Sequence, residues 1–126
     1  AGGIFVERDA RAAACIRQNI DAVARSVGTG GAADLSVTQA DALQIAAAPP
    51  GPRPDLVFID PPYEIIPEVA PILFSRLGTL FAGNPTAIVV FEFPGEIDLT
   101  PEGWTLVKRL GKGARQPTAG FFRPKP

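Results

Sequence analysis

Asp55-Leu56-Val57-Phe58-Ile59-Asp60-Pro61-Pro62-Tyr63 sets the frame for the whole chain. Leu56 to Ile59 form a short apolar run of branched and aromatic residues bounded by breakers, which predicts a central parallel strand buried on both faces. Pro61 and Pro62 forbid its continuation, because neither can donate to a sheet ladder and each fixes its own φ. Asp60 and Tyr63 are therefore expected on a stiff turn at a strand's carboxyl end, where open α/β sheets bind their ligands.

Upstream of this stretch, Gly3-Ile4-Phe5-Val6-Glu7 predicts a strand that ends on an acid. Asp9 can cap the helix that follows, whose apolar positions Ala12, Ala13, Cys15, Ile16, Ile20, Val23, Ala24 and Val27 recur at three- and four-residue steps. Gly28-Thr29-Gly30-Gly31 stops that helix. Leu35-Ser36-Val37-Thr38-Gln39 alternates as a strand near a sheet edge does, and leads into Ala40-Asp41-Ala42-Leu43. A short helix is expected over residues 42–48, then a semi-rigid proline-rich connector, Pro49 to Pro54, enters the central strand.

Downstream, the pattern of Val69, Ile72, Leu73, Leu77 and Leu80 predicts a helix from about Pro67 to Leu80, with Pro67 tolerable in its first turn. Thr86 to Phe93 reads as another buried strand, ended by Pro94-Gly95. Trp104 to Leu110 and Ala119 to Arg123 read as a hairpin. The order strand, helix, strand, strand, helix, strand and β-pair indicates an α/β fold whose sheet is mostly parallel and closed by a C-terminal antiparallel hairpin. Residues 1–126 read as one domain without internal repeats.

Composition bounds the function. The chain has 126 residues, 46% apolar and 20% charged, ordinary values for a globular protein. No apolar run approaches the roughly 20 residues of a membrane helix, and no basic leader precedes an apolar core, so a cytoplasmic setting without membrane attachment is expected. The single cysteine, Cys15, lies among alanines in a helical pattern and is expected to be a buried structural thiol. Histidine is absent, which excludes Ser-His and Cys-His catalysis, histidine general bases and most catalytic zinc sites. A net charge of -1 conceals an asymmetry: six of the twelve basic residues lie from Lys108 onward with no acid among them, leaving six against all thirteen acids upstream. A basic tail on an acidic body suits a polyanion such as RNA, or serves only as a solvated tail.

Three acids, Glu7, Asp41 and Asp60, fall just beyond predicted strand ends, which in a parallel sheet line one edge, so they are expected to face one crevice. Glu7 suits ribose hydroxyls, although a surface acid is the plain alternative. The turn Asp60 to Tyr63 is more specific. A carboxylate on a rigid turn accepts from an exocyclic amine, the prolines offer carbonyl acceptors with no competing donor of their own, and a tyrosine ring stacks on a planar base. The bland alternative is a proline-stopped strand with a capping aspartate and a core tyrosine.

Asp60-Pro61-Pro62-Tyr63 matches the signature [DNS]-P-P-[YFW] of S-adenosylmethionine-dependent methyltransferases that modify exocyclic amino nitrogens. With Phe5-Val6-Glu7-Arg8-Asp9, Ala40-Asp41-Ala42-Leu43 and Val89-Val90-Phe91-Glu92, the chain resembles the bacterial 16S rRNA guanine-N2 methyltransferases of the RsmD type over nearly its whole length. The resemblance implies a Rossmann-like methyltransferase sheet and S-adenosylmethionine as cofactor. It implies that Glu7 meets the cofactor ribose, that Asp41 and Ala42 contact its adenine, and that Arg8 and Asp60 also belong to the cofactor site. Asp60, Pro61, Pro62 and Tyr63 would hold the target amine and stack its base, and Lys108, Arg109, Lys112 and Arg115 would touch phosphates of 16S rRNA or the small ribosomal subunit. A DNA adenine-N6 methyltransferase and a non-catalytic nucleic-acid-binding remnant are the rival readings.

Such enzymes carry a further strand and a glycine-rich cofactor turn before the strand that ends at Glu7, and that strand lies between those ending at Glu7 and Asp60. Neither is found here, and Gly28 to Gly31 follows a helix rather than a strand, so it is no substitute. The expectation is a first strand and glycine-rich loop missing from a longer protein's C-terminal part, with dimerisation of the chain or weak cofactor binding as its consequence.

Overall fold

The structure is a computed structural model that describes residues 2–28, 34–45, 53–111 and 113–126. It comprises two compact units, Ala1–Ile45 and Ala46–Pro126. The glycines at 30 and 31, the connector residues 49–52 and Lys112 lie outside the described residues.

In the first unit, strand β1 (Gly3–Glu7) is followed by helix α1 (Ala10–Val27), strand β2 (Leu35–Gln39) and a short helix α2 (Ala42–Ile45). Strands β1 and β2 pair in parallel, Glu7 opposite Gln39, as a connection that includes a helix allows. Asp9 caps α1 as expected, its carboxylate accepting from the Arg11 N–H at 3.3 Å. Gly28 ends the helix at φ 85°, a left-handed conformation that a side chain would strain.

Cys15 is exposed, which corrects its expected burial. The stripe of α1 that turns inward runs through Ala12, Ala13, Ile16, Ile20 and Ala24. At ~100° per residue, Cys15 stands well off that stripe, and its neighbours Ala12, Ala13 and Ala14 make that one turn of the helix apolar nearly all round.

In the second unit, strand β3 (Leu56–Ile59) leads through a single 3₁₀ turn (Tyr63–Ile65) into helix α3 (Ile66–Leu80). Strand β4 (Ile88–Pro94) and the hairpin strands β5 (Trp104–Leu110) and β6 (Pro117–Pro124) follow. The strand order is β3-β4-β6-β5, with β3 parallel to β4 and the other two pairs antiparallel. The α/β architecture with its antiparallel C-terminal hairpin is thus as expected. The last strand, however, is inserted beside β4 and pushes β5 to the edge.

Helix α3 covers one face of this sheet. Its inward side, Ile66, Ala70, Leu73, Phe74, Leu77 and Leu80, meets Val89, Phe91, Phe93 and Phe122, all fully or nearly fully buried. Phe74 is the hub, with ring centroids 5.5 Å from Phe91, 5.0 Å from Phe122 and 5.3 Å from Trp104, distances that suit offset and edge-to-face packing. The Trp104 indole N–H donates to the Phe74 carbonyl at 2.9 Å, so the one polar atom of that ring is satisfied inside the core. Gly120 leaves room for these rings, since a Cβ there would stand 2.7 Å from the Phe122 ring and 2.8 Å from that of Phe93.

Strand β3 is not buried on both faces. Val57 and Ile59 share the face of Val89 and Phe91 by register, whereas Leu56 and Phe58, opposite Ile88 and Val90, are 49% and 73% exposed. An apolar run signals burial on two faces only when a layer covers each, and within this unit α3 covers one.

Truncating the hub, Phe74→Ala, is expected to cost about 3–5 kcal/mol. Val107→Ala, on the exposed edge strand, should stay within about 0.5 kcal/mol. Urea unfolding followed by Trp104 fluorescence measures both, and equal midpoint shifts would remove Phe74 from its central position.

Candidate active site

The carboxyl ends of the parallel strands hold the expected acids. In the first unit, Glu7 closes β1 and its main-chain carbonyl accepts from Ala40 N–H at 3.0 Å, which splices the exits of β1 and β2 together. Glu7 Oε1 accepts the Asp9 N–H at 3.0 Å, and Asp41 Oδ1 accepts the Leu43 N–H at 2.9 Å. Both carboxylates are thereby oriented by the backbone that follows them, each keeping a second oxygen. Arg8 is exposed, and its carbonyl accepts from the Gln39 side chain at 3.5 Å. Ala42 is exposed at the start of α2. Oriented carboxylates at adjacent strand ends are the acceptors that ribose hydroxyls require, so Glu7 and Asp41 fit the nucleoside part of a cofactor.

In the second unit, Asp60 follows β3 and is exposed. Pro62, at φ -55° and ψ 138°, opens the 3₁₀ turn that Tyr63 begins, and its carbonyl accepts the Ile65 N–H at 3.2 Å. One of the two proline carbonyls is therefore occupied by the turn itself. Among the described residues the Pro61 carbonyl has no protein donor, which leaves it as the acceptor on this turn.

The Tyr63 hydroxyl donates to Glu92 Oε1 at 3.1 Å. Because β3 and β4 run parallel with Ile59 opposite Phe91, Asp60 and Glu92 are the next residues on neighbouring strands. Glu92 was not among the residues expected at the site. The signal was present in the sequence, an acid near the exit of a buried strand, but Phe93 and Pro94 after it masked the rule that picked out Glu7 and Asp60.

Partial desolvation of the phenol, then the hydrogen bond and charge of Glu92, then the charges of Asp60 and Glu96, hold the Tyr63 pKa above its ordinary 10.0. Tyr63 as a whole is 37% exposed, so solvent reaches it.

The β5–β6 turn lies at this same end of the sheet, since Pro94 pairs with Pro117 and Leu110 with Ala119. It is tied to the exit of β4. Gly95 N–H donates to the Gln116 carbonyl at 3.0 Å, and Glu96 Oε2 accepts the Arg115 N–H at 2.9 Å. That bond, with the Arg115 charge nearby, lowers the Glu96 pKa. Arg115 itself sits at φ 65° with its side chain exposed.

Arg109 is spent on its own chain. Its guanidinium donates to the carbonyls of Gly95 and Ile97, lies 3.7 Å from Asp98 and sits over the Phe93 ring at 5.2 Å. Lys108 is exposed, on the face opposite α3. Arg123 pairs with Thr105 at the far end of the hairpin, and Lys125 lies beyond it, so the basic tail divides between two ends of the sheet.

Residues 1–119 match the family described as Conserved hypothetical protein 95. The chain belongs to this family. Three solved structures share the family member's fold. A Haemophilus influenzae protein described as a "putative methylase" aligns with a TM-score of 0.70 at 24% identity, over 99% of this chain and 67% of its own. A Streptococcus pyogenes conserved hypothetical protein aligns at 0.71 and 22% identity, over 98% and 72%. The Escherichia coli "putative methyltransferase yhhF" aligns at 0.65 and 21% identity, over 99% and 64%. The chain thus spans about two thirds of the length of these proteins. No curated protein sequence matches it. Among the described residues no helix is long and apolar enough to cross a membrane.

Tyr63 is the chain's single tyrosine, so its ionisation is readable by absorbance without interference from another phenol. The midpoint should lie above 10.0 and fall toward that value in Glu92→Gln. A group with a raised folded pKa stabilises the fold fully below its ordinary value and loses that contribution as pH rises through the raised one. The loss therefore belongs to the alkaline limb above pH 10, and stability near neutrality should not respond to it. A midpoint unmoved by Glu92→Gln would show that the two groups do not interact.

Proposed function

We propose that this protein methylates an exocyclic amino nitrogen of a nucleobase, with guanine N2 in 16S rRNA as the acceptor and S-adenosylmethionine as the donor. The observation that carries this reading is the Asp60-Pro61-Pro62-Tyr63 turn at the exit of a parallel strand, with Glu92 beside it. Its supports are the family membership, the fold shared with proteins named as methylases, and the sequence pattern of residues 5–9, 40–43 and 89–92.

When bound, S-adenosylmethionine supplies an electrophilic methyl group; Glu7 would hold its ribose, with Arg8 adjacent, and Asp41 and Ala42 its adenine. The chain's own work is to present the nucleophile. An exocyclic amine is a poor nucleophile while its lone pair is delocalised into the ring. Two acceptors, the Asp60 carboxylate and the Pro61 carbonyl, would take its two N–H groups and turn the lone pair outward. Such orientation and electrostatic complementarity account for most of the rate in a transfer of this type. Asp60 is also the nearest base for the proton the amine sheds.

The acceptor-rich surroundings favour guanine over adenine. Guanine presents adjacent N1–H and N2–H donors, which the Asp60 carboxylate and the Pro61 carbonyl can accept, while adenine presents an N1 lone pair to the same acceptors. The exposed Tyr63 ring would stack on the base. Among the described residues, Lys108 and Arg115 are the basic side chains left for RNA phosphates at this end, Arg109 being held by the 95–98 loop.

Asp60→Ala is expected to lower methyl transfer to small-subunit RNA at least 100-fold without altering the unfolding free energy by more than about 1 kcal/mol. Transfer at the parent's rate would remove Asp60 from the reaction. Lys108→Ala should weaken RNA binding and reduce the magnitude of its log-salt slope by about 1; an unchanged slope would take Lys108 out of the RNA surface.

A further inference from the structure

We propose that Glu92 is a positioning residue, whose carboxylate holds the Tyr63 hydroxyl and thereby fixes the plane in which Tyr63 receives the target base. The inference rests on the reading of Tyr63 as the stacking surface.

A tyrosine on an exposed turn would ordinarily be free to change rotamer, and a broad χ2 leaves its ring plane weakly set. Tyr63 begins the 3₁₀ turn with no side-chain cap and with neighbours, Glu64 and Ile65, that are themselves exposed. Packing therefore does little to hold it. The tie that does hold it is the 3.1 Å bond to Glu92, which runs from the hydroxyl at the ring's far end. Restraint at that end acts with the longest lever arm on the ring's tilt.

The anchor is suited to the task. Glu92 lies inside β4, bonded to β3 on one side and to β6 on the other, opposite Ala119. Strand β4 carries Phe91 and Phe93, both fully buried, on either side of Glu92 along the chain. The carboxylate thus projects from a strand paired on both sides toward a side chain that is exposed at the start of the turn.

A bond made only for stability would be poorly placed there. An exposed hydroxyl–carboxylate bond contributes little to folding, because water competes for both groups. Its effect is local: it keeps the ring in one orientation beside Asp60.

The test is a double-mutant cycle of Glu92→Ala and Tyr63→Phe, with Glu92→Gln as the conservative variant. Stacking is read by fluorescence quenching of a single-stranded RNA oligonucleotide carrying 2-aminopurine, and transfer by separate kcat and KM values on small-subunit RNA. Glu92→Ala and Tyr63→Phe should each weaken quenching and raise KM about tenfold, and the double variant should be no worse than either. Glu92→Gln, which keeps an acceptor oxygen, should retain most of the quenching. Additive losses, or quenching at the parent's level in Tyr63→Phe, would overturn the positioning role. Tyr63→Phe decides the matter even if Glu92→Ala fails to fold, because it removes only the hydroxyl. Asp60→Ala separates this inference from the reading beneath it. If Asp60→Ala abolishes transfer while Tyr63→Phe stacks normally, the positioning role alone falls; if Asp60→Ala is fully active, the site assignment falls.

Discussion

The aromatic junction at Phe74 is the constraint on which the second unit depends. One ring touches Phe91 of β4, Phe122 of β6 and Trp104 of β5, so a single side chain of α3 engages three of the four strands. The Trp104 indole returns a hydrogen bond to the main chain of the same residue. Helix and sheet are thus joined through both packing and a buried polar bond, and neither can shift without disturbing the other. The consequence reaches the site, because α3 begins directly after the turn that carries Tyr63. A helix clamped at its middle fixes where its first residues stand.

The strand exit next to that helix concentrates acceptors. Parallel pairing of β3 with β4 brings Asp60 and Glu92 side by side, and the two prolines keep the backbone from continuing the ladder that would have covered them. Pro62 closes a turn with its carbonyl while Pro61 leaves its own open. The result is a short stretch in which a carboxylate, a carbonyl and an aromatic ring are offered together by four consecutive residues. A second carboxylate comes from the neighbouring strand.

Local chemistry was legible in the sequence where the cause is local. The Asp9 cap, the span of α1, the Leu73, Leu77 and Leu80 part of α3's inward stripe and the proline stop after Ile59 all follow from residues within a turn or two of the feature, whereas Ile72, expected on that stripe, is exposed and Phe74 takes its place. What was not legible depends on neighbours distant in sequence. The hairpin pattern at Trp104 and Ala119 is the same whether β5 or β6 lies beside β4, and only three-dimensional pairing decides. The exposure of Phe58 depends on which faces a helix covers, which an apolar run does not encode. Arg109 reads as one of a cluster of cations, yet a guanidinium near free carbonyls at a strand exit folds back to satisfy them. The Tyr63–Glu92 bond joins residues 29 apart, and no spacing rule links them.

The irregularity in β5 has a meaning beyond local geometry. Leu106 faces Phe122 and Lys108 faces Phe121, so Val107 is an extra residue between them, and the outer strand is bent and charged where another chain would seek a partner. Strand β3, at the opposite border, pairs only with β4 among the described residues and has no such guard. Within this unit the two borders thus differ in kind: a bulge and charges discourage an added strand along β5, and β3 carries neither.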